Sequence, residues 1–252
     1  MELTWATFLI VCPMVFLAGF VDAIGGGGGL ISLPAYYLAG VPIHHAIATN
    51  KMSSTVGTVI SAVRICKNIV IRWKLIAPAI ALALIGSTFG THLSMMADEQ
   101  ILKNVLMIVL PVVAFLVLRK NSIVSEKTQR LSEKKEAVIT WGAALVIGTY
   151  DGFYGPGTGT FMILALLGIA HMTSMEAAAY TKILNLSSNL ASLVTFLLNG
   201  QAVILLGLAA GVFSIAGHYM GSGLVLKNGT KIIRPIIFVV LILMFVKILF
   251  DL

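Results

Sequence analysis

Five stretches of the chain, residues 3–24, 75–96, 105–118, 202–226 and 235–250, are almost free of charged side chains. A bilayer core about 30 Å thick is crossed by roughly 20 apolar residues in a helix, fewer where neighbours cover the ends. Helices rather than strands are implied, because lipid cannot satisfy an open backbone and barrel strands alternate over about ten residues. Between the long runs lie two short apolar segments, 30–39 and 160–170, each preceded by a glycine-rich stretch, 25–29 and 155–159. Each leads through a polar junction into a helix of small and hydroxyl residues that begins near a lysine, Lys51 or Lys182. The pattern predicts an all-α fold, a polytopic transmembrane helix bundle with short, broken helices after the glycine-rich breaks.

Composition agrees. Of 252 residues, 58% are hydrophobic and only 11% charged, with a mean hydropathy of +0.99; soluble domains average about 25% charged. No basic residue precedes Lys51, so the first run lacks the charged leader of a signal peptide and reads as a spanning helix. The formal charge of +7 fits basic cytoplasmic loops rather than nucleic-acid binding, since aromatic and basic residues are not interleaved. Cys12 and Cys66 lie in or near apolar spans without CxxC spacing and read as small buried hydrophobes, not as a metal site or disulfide.

The chain repeats itself. Gly19, Asp22, Gly26 and Gly28 match Gly148, Asp151, Gly155 and Gly157 at one offset. After two extra residues in the second half the match resumes. It runs from Ala46/Ala177 and Lys51/Lys182 through Asn68/Asn199, Gly86/Gly217 and Gly90/Gly221 to Ile101/Ile232. The organisation is therefore a first transmembrane repeat (1–118), a polar cytoplasmic linker (119–136) and a second repeat (137–252). Charge predicts their relative orientation. The loop holding Arg64, Lys67, Arg72 and Lys74 has an uncharged equivalent at 199–201, whereas the loop holding Asp98, Glu99 and Lys103 corresponds to one holding Lys227, Lys231 and Arg234. The positive-inside rule places 64–74, 119–136 and 227–234 in the cytoplasm, which requires an odd number of crossings per half. Five each, with the short segment counted, gives ten crossings, inverted halves and both termini outside; re-entrant short segments would give eight. Inverted repeats with a broken helix in matching positions characterise transporter cores, with substrate near the midplane.

At the breaks the sequence becomes specific. Residues 19–34 (GFVDAIGGGGGLISLP) with 46–51 (AIATNK), and 150–160 (YDGFYGPGTGT) with 181–185 (TKILN), resemble the sulfite exporter TauE/SafE family, also called toluenesulfonate uptake permeases. The resemblance covers nearly the whole chain. It implies transport of sulfite, sulfonates or related sulfur oxyanions across a bacterial or archaeal cytoplasmic (inner) membrane.

The residues themselves suggest an anion site. Glycine allows positive φ and close backbone approach. Freed N–H groups at a helix start, with the helix dipole, favour an anion. Gly26, Gly27, Gly28 and Gly29 in the first break, and Gly155, Gly157, Thr158 and Gly159 in the second, are candidate substrate-binding positions; close helix packing is their other use. Neither run continues into a nucleotide loop. Lys51 and Lys182 either neutralise a bound oxyanion or snorkel from a helix end. Asn50, Thr181 and Asn185 beside them offer hydrogen bonds, as do Ser53, Ser54, Ser188 and Asn189. Asp22 and Asp151 stand open between three roles: carrying a coupling proton, pairing with Lys51 and Lys182, or capping the breaks. His44, His45, His171 and Glu176 read as exposed junction residues, His92 and His218 as carrying no role, and Trp5, Trp73 and Trp141 as interfacial anchors.

The expected function is a secondary transporter of a small sulfur-containing anion, by alternating access at the repeat interface. An anion channel using the same helix starts is the alternative. An enzyme is not expected: HExxH, GxSxG and a spaced Cys/His metal set are absent from the sequence, so no catalytic, metal or cofactor residue is assigned. The expected partners are the small anion and the lipid bilayer, without nucleic acid; a homodimer stays open.

Overall fold

The computed structural model describes residues 3–98, 100–101, 130–228, 232 and 235. The predicted span at 105–118, all but the first residue of that at 235–250, linker positions 119–129, and Glu99, Lys103, Lys231 and Arg234 lie outside the described residues. Those described form α1 (Trp5–Gly25), α2 (Gly29–Leu38), α3 (Ile43–Cys66), α4 (Trp73–Met96), α5 (Glu133–Phe153), α6 (Thr158–Leu164), α7 (Ser174–Leu198) and α8 (Ile204–Asn228). A π-helical turn over Ala165–Ile169 extends α6. No strand occurs among them. Capping boxes start α1 (Thr4 with Thr7) and α7 (Thr173 with Glu176), satisfying backbone donors that would otherwise be orphaned. Helix α5 takes in the last four residues of the segment read as linker.

α1, α4 and α8 are long and apolar enough to cross a membrane. Their outer faces are apolar: Leu9, Ile85 and Val212 are 74%, 62% and 65% exposed. α3 and α7 are as long, 24 and 25 residues, but bury hydroxyl, amide and lysine side chains, among them Thr58, Ser61, Lys182, Asn185 and Ser188. Their neighbours, not lipid, cover those groups, so the two polar helices form the centre.

Contacts between helices define their directions. Gly217 packs on Phe16, and Gly221 on Phe20 and Ala23, so α1 and α8 run parallel. Gly148 on Ala83 and Gly152 on Ser87 make α5 parallel to α4. Val203 N donates to Thr49 Oγ1 at 3.0 Å, Gly207 packs on Met52, and Arg64 reaches Tyr219 O and Ser222, so α3 also parallels α8. α3 and α7 are antiparallel: Cys66 lies at Ala179 while Lys51 reaches Asn189. Helix α2 therefore runs back between the parallel helices α1 and α3.

The ends sort accordingly. The end of α3, the starts of α4, α5 and α7 and the far end of α8 share one face. Arg72 ties it together, donating to Glu136 at 2.7 and 2.5 Å and lying 3.6 Å from Glu176, which Arg130 also meets at 3.1 Å. The Glu136 carboxylate holds the Arg72 guanidinium more firmly protonated than usual. Among the described residues, every Lys and Arg except Lys51 and Lys182 belongs to this basic face. At the opposite face His44 Nε2 sits 3.2 Å from the carbonyls of Ser94 and Ala97, and His45 Nδ1 2.6 Å from that of Gln201. Sequence alone reads these histidines, and Glu176, as exposed loop residues; instead His44 ties α3 to the end of α4, His45 ties α3 to the loop before α8, and Glu176 ties α7 to Arg72 and Arg130. Trp5 and Trp73 are exposed near helix starts, whereas Trp141 is half-buried and donates to Leu75 O at 2.9 Å, fastening α5 to α4.

The parallel pairs are seamed by small residues. A methyl on Gly90 would overlap Thr149 O, and one on the repeat-equivalent Gly221 would overlap Phe20 O, whereas Gly142 faces open space. Gly90→Val and Gly221→Val are each expected to cost about 1–3 kcal/mol by overpacking, read as a lowered thermal midpoint in detergent, with Gly142→Ala unchanged.

Candidate functional site

The first break is built by Asp22. Its carbonyl accepts from Gly26 N at 2.9 Å and its Oδ1 from Gly28 N at 3.2 Å, so the capping role is met. Gly26 ends α1 at φ 79°, a left-handed conformation open to glycine. In the second break Gly155 has φ 99° and Gly157 φ 81°, with Tyr150 Oη donating to Pro156 O and Thr158 Oγ1 to Gly155 O, both at 2.7 Å. The two breaks touch. Thr160 N donates to Gly26 O at 3.2 Å and Thr160 Oγ1 to Gly25 O at 2.7 Å. A side chain on Gly26 would overlap the Gly159 backbone.

Around this contact the charged side chains pair crosswise between the halves. Lys51 Nζ lies 2.8 Å from Asp151 Oδ1 and donates to Asn189 Oδ1 at 2.9 Å. Lys182 Nζ lies 3.0 Å from Asp22 Oδ2 and also donates to the Asp22 carbonyl. Lys51 is 2% exposed and Lys182 1%, so neither snorkels to an interface. A buried ion pair is retained at a cost in desolvation, and removing one partner strands the other. Both aspartates thus pair; Asp22 also caps.

A cavity of about 20 Å³ lies between the pairs, lined by Asp22, Gly26, Gly29, Asn50, Lys51, Ser54, Asp151, Gly155, Gly159, Asn185 and Asn189. That is room for about one water. Nine of the candidate residues meet there. Six do not line it: Gly27, Gly28, Gly157, Thr158, Thr181 and Lys182. Gly28 lines an adjoining cavity of about 20 Å³ bounded by Asp22, Gly29, Asn50, Ser53, Ser214 and His218. Thr158 is spent on Gly155 O, while Thr181 Oγ1 is buried with no hydrogen-bond partner. Ser54 and Asn189 join the lining. His218, which sequence reasoning set aside, stands 3.3 Å from Asp22 Oδ2. Its repeat-equivalent is a serine, so duplication gives no signal for it. Among the described residues no group of three or more His, Cys, Asp or Glu is arranged to hold a metal.

The sulfite exporter TauE/SafE family profile matches residues 11–248. This chain belongs to that family. The TauE/SafE chain is 33% identical to the probable membrane transporter protein YfcA of Escherichia coli K12, over 98% of its length and 94% of the relative's. A probable membrane transporter protein of Haemophilus influenzae is 32% identical, over 94% and 92% of the two chains. Probable membrane transporter protein ORF9 of a Sinorhizobium species is 31% identical, over 97% and 92%. No solved structure matches. It is a membrane transporter of TauE/SafE type.

Lys51→Met alone leaves Asp151 buried without its cation and is expected to destabilise the TauE/SafE chain by about 3–5 kcal/mol. Lys51→Met with Asp151→Leu removes both charges and is expected to recover most of that loss, measured as thermal midpoint in detergent.

Proposed function

We propose that this protein is a secondary transporter of a small sulfur-containing anion, sulfite or an organosulfonate, working by alternating access between two inverted repeats. The observation that carries the reading is the meeting of both glycine breaks at a polar cavity lined by Lys51, Asp151 and Asp22, with Lys182 held on the Asp22 carboxylate. The opposite directions of α3 and α7 support inversion. So do the equivalent pairings, α1 on α8 and α5 on α4. With α1 parallel to α3, the short helix α2 acts as a crossing, which favours ten crossings over eight. The basic face then lies in the cytoplasm, of a bacterial inner membrane as in the relatives' hosts, with both termini outside.

Binding chemistry follows from the lining. Asn50, Ser54, Asn185 and Asn189 offer hydrogen bonds to oxyanion oxygens, Lys51 offers charge, and Gly29 opens α2 at its positive dipole end. A cavity that holds about one water is too small for sulfite, so this is a closed state. Both exits are fastened by different bonds: the Arg72–Glu136–Glu176–Arg130 cluster on one side, His44 and His45 on backbone carbonyls on the other. Releasing one set at a time is what alternating access requires.

Proteoliposomes loaded with labelled sulfite, thiosulfate or methanesulfonate test this. Saturable flux of one anion is expected, with KM raised about thirtyfold in Asn50→Ala/Asn185→Ala through loss of two hydrogen bonds worth about 1 kcal/mol each. Ohmic single-channel current would instead establish the channel, and no flux of any of the three would remove the sulfur oxyanion as cargo.

A further inference from the structure

We infer that His218, with Asp22, binds the proton that accompanies the anion, one per transport cycle. This rests on the transport reading above and concerns its coupling.

The first ground is charge. The centre of the protein holds two lysines and two aspartates, paired. It is neutral before any anion enters. Adding an anion to a buried neutral cluster leaves a net negative charge away from water, which is costly unless a cation arrives with it. An imidazole is the side chain that gains and loses a proton near neutrality.

The second ground is geometry. His218 is 1% exposed. Its Nδ1 lies 2.9 Å from the Ser214 carbonyl and 3.3 Å from the Ser214 hydroxyl, and its Nε2 lies 3.3 Å from Asp22 Oδ2. A neutral ring carries one N–H and can donate to the carbonyl or to the carboxylate, not to both. A ring with both nitrogens protonated serves both acceptors. One added proton, taken from water, makes the Asp22 contact a charge-assisted hydrogen bond. Asp22 Oδ2 is also the oxygen that Lys182 Nζ meets at 3.0 Å. A protonated His218 competes for it and frees Lys182 to face an anion. When the proton returns to water on the other side, Lys182 recaptures the carboxylate and the anion is released. Asp22 is the shared wall through which this passes: it lines both small cavities, whereas His218 lines only the one away from the anion site.

The third ground is asymmetry. His218 fits because Gly19 and Gly57 make room: a methyl on Gly19 would lie 2.7 Å from Nδ1, and one on Gly57 would overlap the ring. In the other half the matching position is Ser87, turned into Ser188 O at 2.6 Å and Ser192 Oγ at 2.8 Å, and Gly57 is matched by Ser188 itself. Asp151 has no imidazole; its Oδ2 is buried with no hydrogen-bond partner. The module exists once, hence one proton. Of the elements packed on α8, α1 presents Asp22 to His218. α3 presents Gly57 and, further along, Arg64, which is engaged with Tyr219 O and Ser222. Lys182 of α7 stands beyond the Asp22 carboxylate, and Lys51 across the anion cavity.

The test uses the full-length protein in proteoliposomes with an entrapped pH dye, and labelled methanesulfonate and sulfite as parallel probes. Methanesulfonate carries no proton of its own near neutrality, so any proton counted with it belongs to the protein. Wild type is expected to move one proton with each methanesulfonate. His218→Gln, whose amide can still donate to Asp22 Oδ2 but takes up no proton, is expected to lose about tenfold in accumulation driven by a pH gradient while anion exchange across equal concentrations persists at a reduced rate. Accumulation by His218→Gln equal to wild type, or methanesulfonate flux in wild type without protons, would overturn the proposal. If His218→Gln loses exchange too, His218→Ser, which installs the residue of the other half, decides: exchange restored without proton coupling supports the inference, and exchange still lost makes the residue structural. Wild type that moves neither probe refutes the transport reading itself, a pattern distinct from all of these.

Discussion

The crossed pairing of Lys51 with Asp151 and of Lys182 with Asp22 is the constraint on which the rest depends. A lone lysine or aspartate at membrane depth costs about 2.5–3.5 kcal/mol on insertion scales. Four of them are tolerated here because each charge meets its opposite from the other half, inside a jacket of apolar helices. The demand for opposite charges at hydrogen-bond distance ties α3 to α5 and α7 to α1, beside the contact between the two glycine breaks. Gly26 and Gly159 meet there backbone to backbone, which is why neither position can carry a side chain.

That arrangement also makes the centre responsive. An ion pair between halves is strong only while the halves keep their relative position, so any rocking of one against the other changes the charge balance at the cavity. The two faces are fastened by different chemistry: carboxylate and guanidinium at the basic face, imidazole and carbonyl at the other. Repeat symmetry relates their backbones, since Val203 N donates to Thr49 and Arg72 N to Tyr180 at matching positions. Their side chains have diverged, so the halves share a scaffold and differ in how each end is fastened.

Much of this was legible in the sequence. Duplicated glycines marked the breaks, duplicated lysines marked the polar helices, and the unequal charge of matching loops is the ground in the sequence for the proposed inversion. Pairing across the halves was not legible, because within either repeat the nearest aspartate to Lys51 or Lys182 along the chain is its own. Only the laying of α1 on α8 and of α5 on α4 exchanges those partners. His218 escaped for the opposite reason: attention to matched positions passes over a residue whose counterpart is a serine. A histidine amid an otherwise glycine and serine helix face, opposite Gly19 and Gly57, was the available signal. Thr158 and Thr181 looked like ligands by proximity to motifs, but one closes its own turn and the other is buried away from the cavity.

The interlocking of the halves bears on how the protein is made. Lys51 enters the bilayer a hundred residues before Asp151 is synthesised, and α1 must wait longer still for α8 to lie against it. Lys51 and Asp22 of the first repeat therefore both lack the partners they meet in the folded chain until the second repeat arrives. A chain ending between the repeats would leave the Gly86 and Gly90 seam of α4 without the α5 backbone that it packs against.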